Sequence, residues 1–329
     1  MTDLVTPRVS TRRAIPLFGS LWPIAIVILA AFAAFFLFPY DLAFLTRIVI
    51  MMVFVLSFDL ILGYAGIATL GHAAMYGCGA YAAGLFALHI SPDPLVGLLI
   101  GATAGALIGW ASGLVLLRTH GMTLLIISIA VTMVLQEAAS KARWLTGGAD
   151  GLPGISVSPI LGFFEFDFVG QVAFIYSVCV LVAVLVLCHV LVSSPFGLAL
   201  RGIKNSASRM RAIGTPVYRR KVTVYTIAGA IAGIAGALAA QVTGLVGLEV
   251  FNFSLSADVM VMLILGGAGR LYGALIGTLI FMTVHHVAAS IDPFNWLFVI
   301  GFMLLVVVFA LPDGLVSLPA RLVRFLRRA

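Results

Sequence analysis

Apolar residues fill most of the chain in long runs, and the charged residues lie in the short stretches between them. A hydrocarbon core about 30 Å thick is crossed by a helix of about 20 apolar residues. The runs therefore predict membrane-spanning helices, and we place ten of them. Their approximate bounds are 21–39, 43–62, 67–89, 95–117, 121–139, 170–192, 223–246, 256–267, 271–290 and 294–311.

The eighth run, 256–267, is too short for an ordinary span, and a break containing Gly266, Gly267, Gly269 and Gly273 follows it. Discontinuous helices occur in membranes where protein or a cavity covers the freed backbone groups. We expect a half helix that turns back inside the protein.

Composition agrees with this pattern, because 62% of the 329 residues are hydrophobic and 9% are charged, against about 25% charged in soluble domains. We predict an all-α integral membrane protein with one polytopic domain, 21–312. Basic tails flank it at 1–20 and 313–329. The first run, 21–39, is too long for the apolar region of a cleaved signal, so we interpret it as the first span.

Lys and Arg gather on the cytoplasmic side of membrane proteins, which tests the ten-span pattern. With the N terminus inside, the inner side collects sixteen of the nineteen basic residues. Arg47, Lys141 and Arg143 are the remaining three. The asymmetry favours ten crossings with both termini cytoplasmic. Because these basic residues lie beside apolar spans, they indicate topology and not nucleic acid binding.

The longest outer connection, 140–169, contains TGGADGLPGI, whose glycines and proline disfavour a continuing helix. We expect an ordered turn and a short surface segment there. Five runs lie on either side of it, which permits a 5+5 inverted repeat of the kind found in transporters.

The segment 193–222 holds seven of the nineteen Lys and Arg residues and no acid, between two apolar runs. Ser194, followed by proline, is a helix start. A second start at Asn205 or Ser206 leads to Gly214 and then Pro216, which predicts a glycine-terminated helix. We predict a cytoplasmic loop of short helices.

Apolar residues recur in this loop at Ile203, Ala207 and Met210, with Ile213 at the edge of the stripe. The pattern predicts a short helix with one apolar face. Three interpretations stay open: a solvated turn that fixes orientation, an interfacial helix on anionic lipid, and a helix inserted into a partner's groove. We expect the basic side chains Lys204, Arg209 and Arg211 to point away from the stripe.

The stretch GYAGIATLGHAAMYGCGAYAAG, residues 63–84, is rich in small residues and contains His72. Small residues let neighbouring backbones approach closely, and they also occur where a pore admits backbone or water. Helix packing and a translocation path both stay open for it.

Catalytic constellations are missing from the sequence. It has neither a phosphate-binding GxxxxGK[ST] nor HExxH, and its three cysteines lie within apolar runs, so we expect no enzyme activity, metal or cofactor. Asp59, Glu137 and Asp258 lie near run ends, where anchoring at the interface is as reasonable as function. His285 and His286 are adjacent and face different sides of a helix, so we expect packing roles for them.

Four passages occur in order from residue 63 to residue 277: GYAGIATLGHAAMYGCGAY, TGGADGLPGI, FGLALRGIKNSASRMRAIGTPVYRRKV with AGAIAGIAGALAA, and VMLILGGAGRLYGALIG. Together they resemble the permease subunits of ATP-binding cassette importers for branched-chain amino acids, the LivM-like branch of the LivH and LivM family. The resemblance implies a fold like the ten-helix type II importers, set in the lipid of a bacterial cytoplasmic (inner) membrane. It also implies a second related permease, two cytoplasmic subunits that bind ATP, and an extracytoplasmic substrate-binding protein.

On this resemblance the loop contains the helix that couples the permease to an ATPase. The expected coupling residues are Phe196, Gly197, Arg201, Ile203, Lys204, Arg209, Met210, Ile213, Gly214 and Lys221. The expected path or packing residues are Gly63, Gly66, Gly71, His72, Gly79, Gly266, Gly267 and Gly269.

The sequence departs from the family pattern in three places. Asn205, Ser206 and Ser208 stand where the family commonly has acids, Thr69 replaces a serine, and GMTLLIISIA after His120 is less aromatic. We therefore expect the partner to hold the loop chiefly through apolar contacts.

The function we expect is inward transport of branched-chain or related amino acids by alternating access, driven by the ATPase subunits. A permease of the same class for urea, amides or another small solute is the first alternative. An ion-coupled secondary transporter is the second, although it would need ion-binding acids or carbonyls near the membrane midplane. A membrane enzyme or scaffold is the third.

Overall fold

The computed structural model describes residues 22–159, 170–292, 296–310 and 314–315. Helices dominate the described residues. They are α1 (Trp22–Leu37), α2 (Leu42–Phe58), α3 (Ala73–His89), α4 (Pro94–Leu116), α5 (Met122–Lys141), α6 (Arg143–Thr146), α7 (Gln171–Ser193), α8 (Pro195–Asn205), α9 (Ala207–Ala212), α10 (Val217–Thr243), α11 (Phe253–Gly266), α12 (Leu271–Ile291) and α13 (Trp296–Ala310). A π-helical turn, Asp59–Tyr64, continues α2, and the short strands β1 (Leu152–Pro153) and β2 (Leu245–Val246) pair antiparallel.

The predicted all-α membrane class is confirmed, since six helical segments are long and apolar enough to cross a membrane. They are Leu42–Tyr64, Pro94–Leu116, Met122–Lys141, Gln171–Ser193, Val217–Thr243 and Leu271–Ile291. Ile24–Leu37 and Phe253–Gly266 are shorter apolar helices. The count of ten crossings and the inverted repeat stay predictions. The predicted tails lie outside the described residues, apart from Gly314 and Leu315.

Two predicted bounds were wrong in an informative way. The run 67–89 is not one helix, because the backbone is non-helical over 66–71 and α3 begins only at Ala73. Helix α10 begins six residues before the predicted 223, at Val217. It therefore carries Arg219, Arg220 and Lys221 in its first turns.

Close backbone packing joins α4 to α10 along an antiparallel line of small residues, which we call the glycine seam. Gly105 faces Gly233 so closely that a methyl group on Gly105 would lie 2.8 Å from the Cα of Gly233. A methyl group on Gly101 would lie 2.6 Å from the Cβ of Ala237. Small residues permit such backbone approach, and dispersion contacts then hold the helices together in lipid.

The seam repeats every fourth residue on both helices. Along α4 it comprises Gly97, Gly101, Gly105, Gly109 and Gly113, and along α10 it comprises Gln241, Ala237, Gly233, Gly229 and Tyr225, paired in that order. Helix α3 joins the same line, since Gly79 packs against Gly233. Three helices thus meet with almost no side chain between them.

A buried polar contact fixes the end of the seam at Gly97 and Gln241. The Nε2 of Gln241 donates to the carbonyl of Pro94 at 2.9 Å. The Tyr176 hydroxyl, from α7, lies 3.0 Å from the Oε1 of Gln241. Asp93 caps α4 there, accepting from the amide of Leu95 at 2.9 Å. The register of α4, α7 and α10 is therefore set by specific hydrogen bonds as well as by packing.

The described part of the predicted outer turn is ordered, as expected. Gly147, Gly148, Gly151 and Gly154 all adopt positive φ, a conformation that glycine enters without steric cost. They carry the chain through a short helix and into β1. A small apolar cluster lies beneath this turn, where Leu152 packs near Gly84 of α3.

We predict that Gly105→Ala destabilises the protein, because the added methyl group forces α4 away from α10. Overpacking of this kind costs about 1–3 kcal/mol. The measurement is the thermal unfolding midpoint of the purified chain in detergent. Gly301→Ala in α13 is the control, since nothing lies within 4 Å of a methyl group there. Equal midpoints for the two variants would contradict the seam's role.

Candidate functional site

The segment 193–222, which we call the basic loop, folds as two short helices before α10. Their starts and the end of the second helix match the sequence prediction. Ser194 caps α8, its Oγ accepting from the amide of Gly197 at 3.4 Å, with proline in the first turn. Ser206 is extended and caps α9, accepting from the amide of Arg209 at 3.4 Å. Because Ser206 interrupts the helical backbone, α8 and α9 are two separate helices.

Helix α9 ends in a Schellman motif, as the Gly214 and Pro216 signals predicted. Gly214 has φ of +83°, and its amide donates to the carbonyl of Arg211 at 3.0 Å. The amide of Thr215 donates to the carbonyl of Met210 at 3.0 Å. These two bonds satisfy carbonyls that a helix end leaves free, and Pro216 then leads into α10.

The prediction of a single helix with one apolar face was wrong. The break at Ser206 places Ile203 on α8 and Met210 on α9. Ile203 is buried within this chain, and a methyl group on Gly202 would lie 2.7 Å from the Sδ of Met210. The most exposed large apolar residues of the loop are Leu198, 62% exposed, and Ile213, 74% exposed.

The Lys204 side chain is partly exposed, and its Nζ reaches the end of a membrane helix. Its Nζ donates to the carbonyl of Gly63 at 2.7 Å, within the π-helical turn that ends α2. A π-helical turn shifts the backbone hydrogen-bonding pattern, and such turns are frequent at functional sites. The contact joins α8 directly to the end of α2.

A second bond at the same place brings in the α11–α12 turn. The Oδ1 of Asp59, which is fully buried, accepts from the amide of Gly269 at 2.7 Å. A methyl group on Gly269 would lie 3.0 Å from the Gly63 oxygen and 3.8 Å from the Nζ of Lys204. We call this meeting of Asp59, Gly63, Lys204 and Gly269 the junction.

Two cation–π contacts hold α8 against its neighbours. The Arg201 guanidinium lies 5.2 Å from the ring centre of Tyr64, and that of Arg220 lies 5.3 Å from the ring centre of Phe196. Such cation–π contacts contribute about 0.5–1 kcal/mol at exposed sites. They link α8 to the π-helical turn on one side and to α10 on the other.

The stretch after the junction, 65–72, leaves α2 and enters the bundle without helical structure except for single turns. Its free amides find side-chain partners on other helices. The Leu70 amide donates to the Oγ of Ser128 at 3.0 Å, and just after the stretch the amide of Ala73, the first residue of α3, donates to the Oγ of Ser256 at 2.9 Å. Non-helical backbone is tolerated in membranes only where protein covers it in this way. Gly66, with φ of +70°, makes the initial turn.

His72 ends this stretch and is completely buried. Its Nε2 lies 2.7 Å from the Oγ of Ser57. That hydroxyl also donates to the carbonyl of Phe54 at 2.6 Å, so Nε2 is the donor in the contact with Ser57. The ring stacks on Phe54 at 5.3 Å between centroids and contacts Phe58. In this conformation packing encloses His72.

The glycine break forms a tight hairpin between α11 and α12. Helix α11 has 14 residues and ends at Gly266, while Gly267 and Gly269 have φ of +107° and +88°. A methyl group on Gly273 would lie 2.9 Å from the carbonyl oxygens of Gly266 and Gly267. The predicted short helix and its glycine turn are therefore present.

The structure separates the predicted residues into groups. Gly63, Gly66, Lys204 and Gly269 converge at or beside the junction. Gly71 and His72 lie deeper, against Ser128 and Ser57, and Gly79 belongs to the glycine seam. Gly197 packs on Val192 at the start of α8. Arg209 is exposed, and Lys221 is half-buried.

Sequence reasoning missed several residues. Asp59 was considered only as an anchor or an undefined functional acid, and its bond to Gly269 across 210 positions left no local signal. The α4 glycines had a visible period of four that was not used. Among the described residues, no group of three or more His, Cys, Asp or Glu side chains could hold a metal ion.

Comparison with known proteins bears on the same region and most of the remaining chain. The family model described as "Branched-chain amino acid transport system / permease component" matches residues 41–308. No solved structure matches the chain significantly.

Named relatives agree with this match. The "High-affinity branched-chain amino acid transport system permease protein LivM" of Escherichia coli (strain K12) is 27% identical over 304 residues, covering 84% of this chain and 70% of the relative. The protein of the same name from Salmonella typhimurium gives the same values. The "Probable branched-chain amino acid transport permease protein LivM" of Methanocaldococcus jannaschii is 24% identical over 313 residues, covering 79% of this chain and 88% of the relative.

The family match spans α2 through most of α13 and so includes the seam, the junction and the basic loop. Six apolar helices of membrane-spanning length agree with a permease. The chain therefore belongs to the family of branched-chain amino acid transport system permease components.

Proposed function

We propose that this chain is one of two related permease subunits of an ATP-binding cassette importer in a bacterial inner membrane. Two cytoplasmic subunits bind and hydrolyse ATP, and an extracytoplasmic protein delivers the substrate. The chain itself carries no cofactor and alternates between outward and inward access. With ten crossings and both termini cytoplasmic, the basic loop lies on the same side of the membrane as the ATPases, and the distribution of Lys and Arg supports this orientation.

The observation that carries this proposal is the junction. Helix α8 presents Leu198 outward while Lys204 binds the end of α2. The same site touches the α11–α12 turn through Asp59 and Gly269. A partner that moves α8 therefore acts on two membrane elements at once, and this is the connection that an ATP-driven permease requires.

The substrate we propose is a branched-chain or related amino acid. The description of the family and the names of the relatives support it. Residues 65–72 and 267–270 are non-helical breaks that glycine and serine contacts stabilise. They support a translocation pathway that changes conformation, more than they support specificity for one substrate side chain.

We predict that Ile213→Asp prevents association with the ATPase subunits. Ile213 is the most exposed large apolar residue of the basic loop, and burying such a side chain contributes about 1.5–3 kcal/mol. A charge there would weaken binding by about tenfold or more. The measurement is copurification of the ATPase subunits with tagged permease from membranes.

Ile90→Asp is the matched control, because Ile90 is 76% exposed at the far end of α3. Both variants should insert into membranes, and Ile90→Asp should retain the ATPase subunits. Full copurification with Ile213→Asp would overturn the proposed contact.

We predict that Lys204→Met keeps the ATPase subunits bound but lowers substrate uptake per ATP hydrolysed about tenfold or more. Methionine keeps the apolar stem and loses the bond to Gly63, and a hydrogen bond of a charged group contributes about 1.5–3 kcal/mol. Uptake and ATP hydrolysis are measured together in proteoliposomes.

Lys141→Met is the control, since Lys141 pairs with Glu137 at 3.2 Å on an exposed surface, and such pairs contribute about 0–1 kcal/mol. An unchanged uptake ratio for Lys204→Met would contradict a coupling role. Loss of the ATPase subunits from the Lys204→Met variant would instead show that Lys204 contacts an ATPase subunit directly.

A further inference from the structure

A cavity of 540 Å³ lies between the end of α4, helix α9 and the start of α10. We call it the basic cavity. Its lining residues include five basic side chains and no acid. The basic ones are Arg118, His120, Arg211, Arg219 and Lys221.

The charges of this cavity have no carboxylate within 4 Å among the residues that the structure describes. Helix α10 adds to the positive potential, since Pro216 precedes it and no side chain caps its first amides. A helix N terminus carries a partial positive charge and free N–H donors. The cavity thus offers several donors to an anion and supplies no counter-charge of its own.

An apolar groove of 400 Å³ leads out of the cavity along α4 and α10. Tyr218 and Arg219 line both spaces, so the groove adjoins the cavity. Further along, Trp110, Leu114 and Ile227 line the groove. It follows α10 from 218 to 227, a rise of about 13 Å at 1.5 Å per residue.

We propose that the basic cavity and this groove bind one anionic phospholipid, with its phosphate in the cavity and an acyl chain in the groove. Basic pockets between membrane helices are suited to anionic headgroups. A free phosphate would leave the groove uncovered. An acidic protein segment would have to follow α10 into the hydrocarbon, where unpaired backbone is costly. The assignment to the inner leaflet rests on the proposed function.

The bound lipid would join α9 to the paired ends of α4 and α10. Arg211 comes from α9, while Arg118 follows α4 and Arg219 begins α10. A single phosphate contacted by these three groups would hold α9 against the inner end of the glycine seam. The lipid would therefore position the basic loop without touching the junction.

The test measures lipid binding by native mass spectrometry of the purified transporter, titrated with phosphatidylglycerol or with phosphatidylcholine of the same acyl chains. We expect phosphatidylglycerol to bind at least about tenfold more tightly, and this preference to fall as salt is raised. The variant Arg118→Gln/Arg219→Gln should lose the preference. Lys141→Gln/Arg143→Gln, which removes two basic residues at the opposite end of the bundle, should keep it.

A second variant examines the groove. Thr223→Trp places a bulky ring where Thr223 lines the groove, and it should weaken phosphatidylglycerol binding while leaving Arg118 and Arg219 in place. Glycerol phosphate, which has the headgroup charge and no acyl chain, should compete poorly.

Three results would overturn the proposal. They are equal binding of the two lipids, full competition by glycerol phosphate, and unchanged lipid binding in Arg118→Gln/Arg219→Gln together with loss of the ATPase subunits. The last would assign the cavity to a protein partner. Lipid binding is measured without transport, so a failure here is distinguishable from a failure of the proposed function.

Discussion

The close approach of α4 and α10 along the glycine seam is the contact on which the rest of the structure depends. In lipid no hydrophobic effect drives one apolar helix onto another, so shape and backbone contact decide which helices associate. Five glycines in α4 allow this contact along nearly the whole helix. With α3 joined at Gly79, these three helices pack backbone against backbone, and α2, the most buried of the six long apolar segments, packs against α10.

Movement is easier where the backbone departs from regular helix. The non-helical stretch 65–72, the π-helical turn at Asp59–Tyr64 and the turn after Gly266 lie close together and not along the seam. Each contains glycines at positive φ or rearranged hydrogen bonds. Lys204 connects them to the basic loop. The glycine seam and this connected set of breaks are therefore separate parts of the bundle.

Much of this could be predicted from the sequence, for identifiable reasons. Apolar runs and capping signals act locally, so the helices, the starts at Ser194 and Ser206 and the end at Gly214 were accessible. The burial of Ile203 and the inward reach of Lys204 were not, because both depend on where α8 lies against α2. Periodicity showed which residues share a helix face but not which faces the bundle covers.

The most direct test of the account is leucine uptake into proteoliposomes that contain this permease, its related second subunit and the ATPase subunits, with the substrate-binding protein supplied. Uptake should require ATP on the side of the ATPase subunits, and it should stop when those subunits are omitted. Imposed proton or sodium gradients should not replace ATP. Uptake that persists without the ATPase subunits and follows an ion gradient would contradict it.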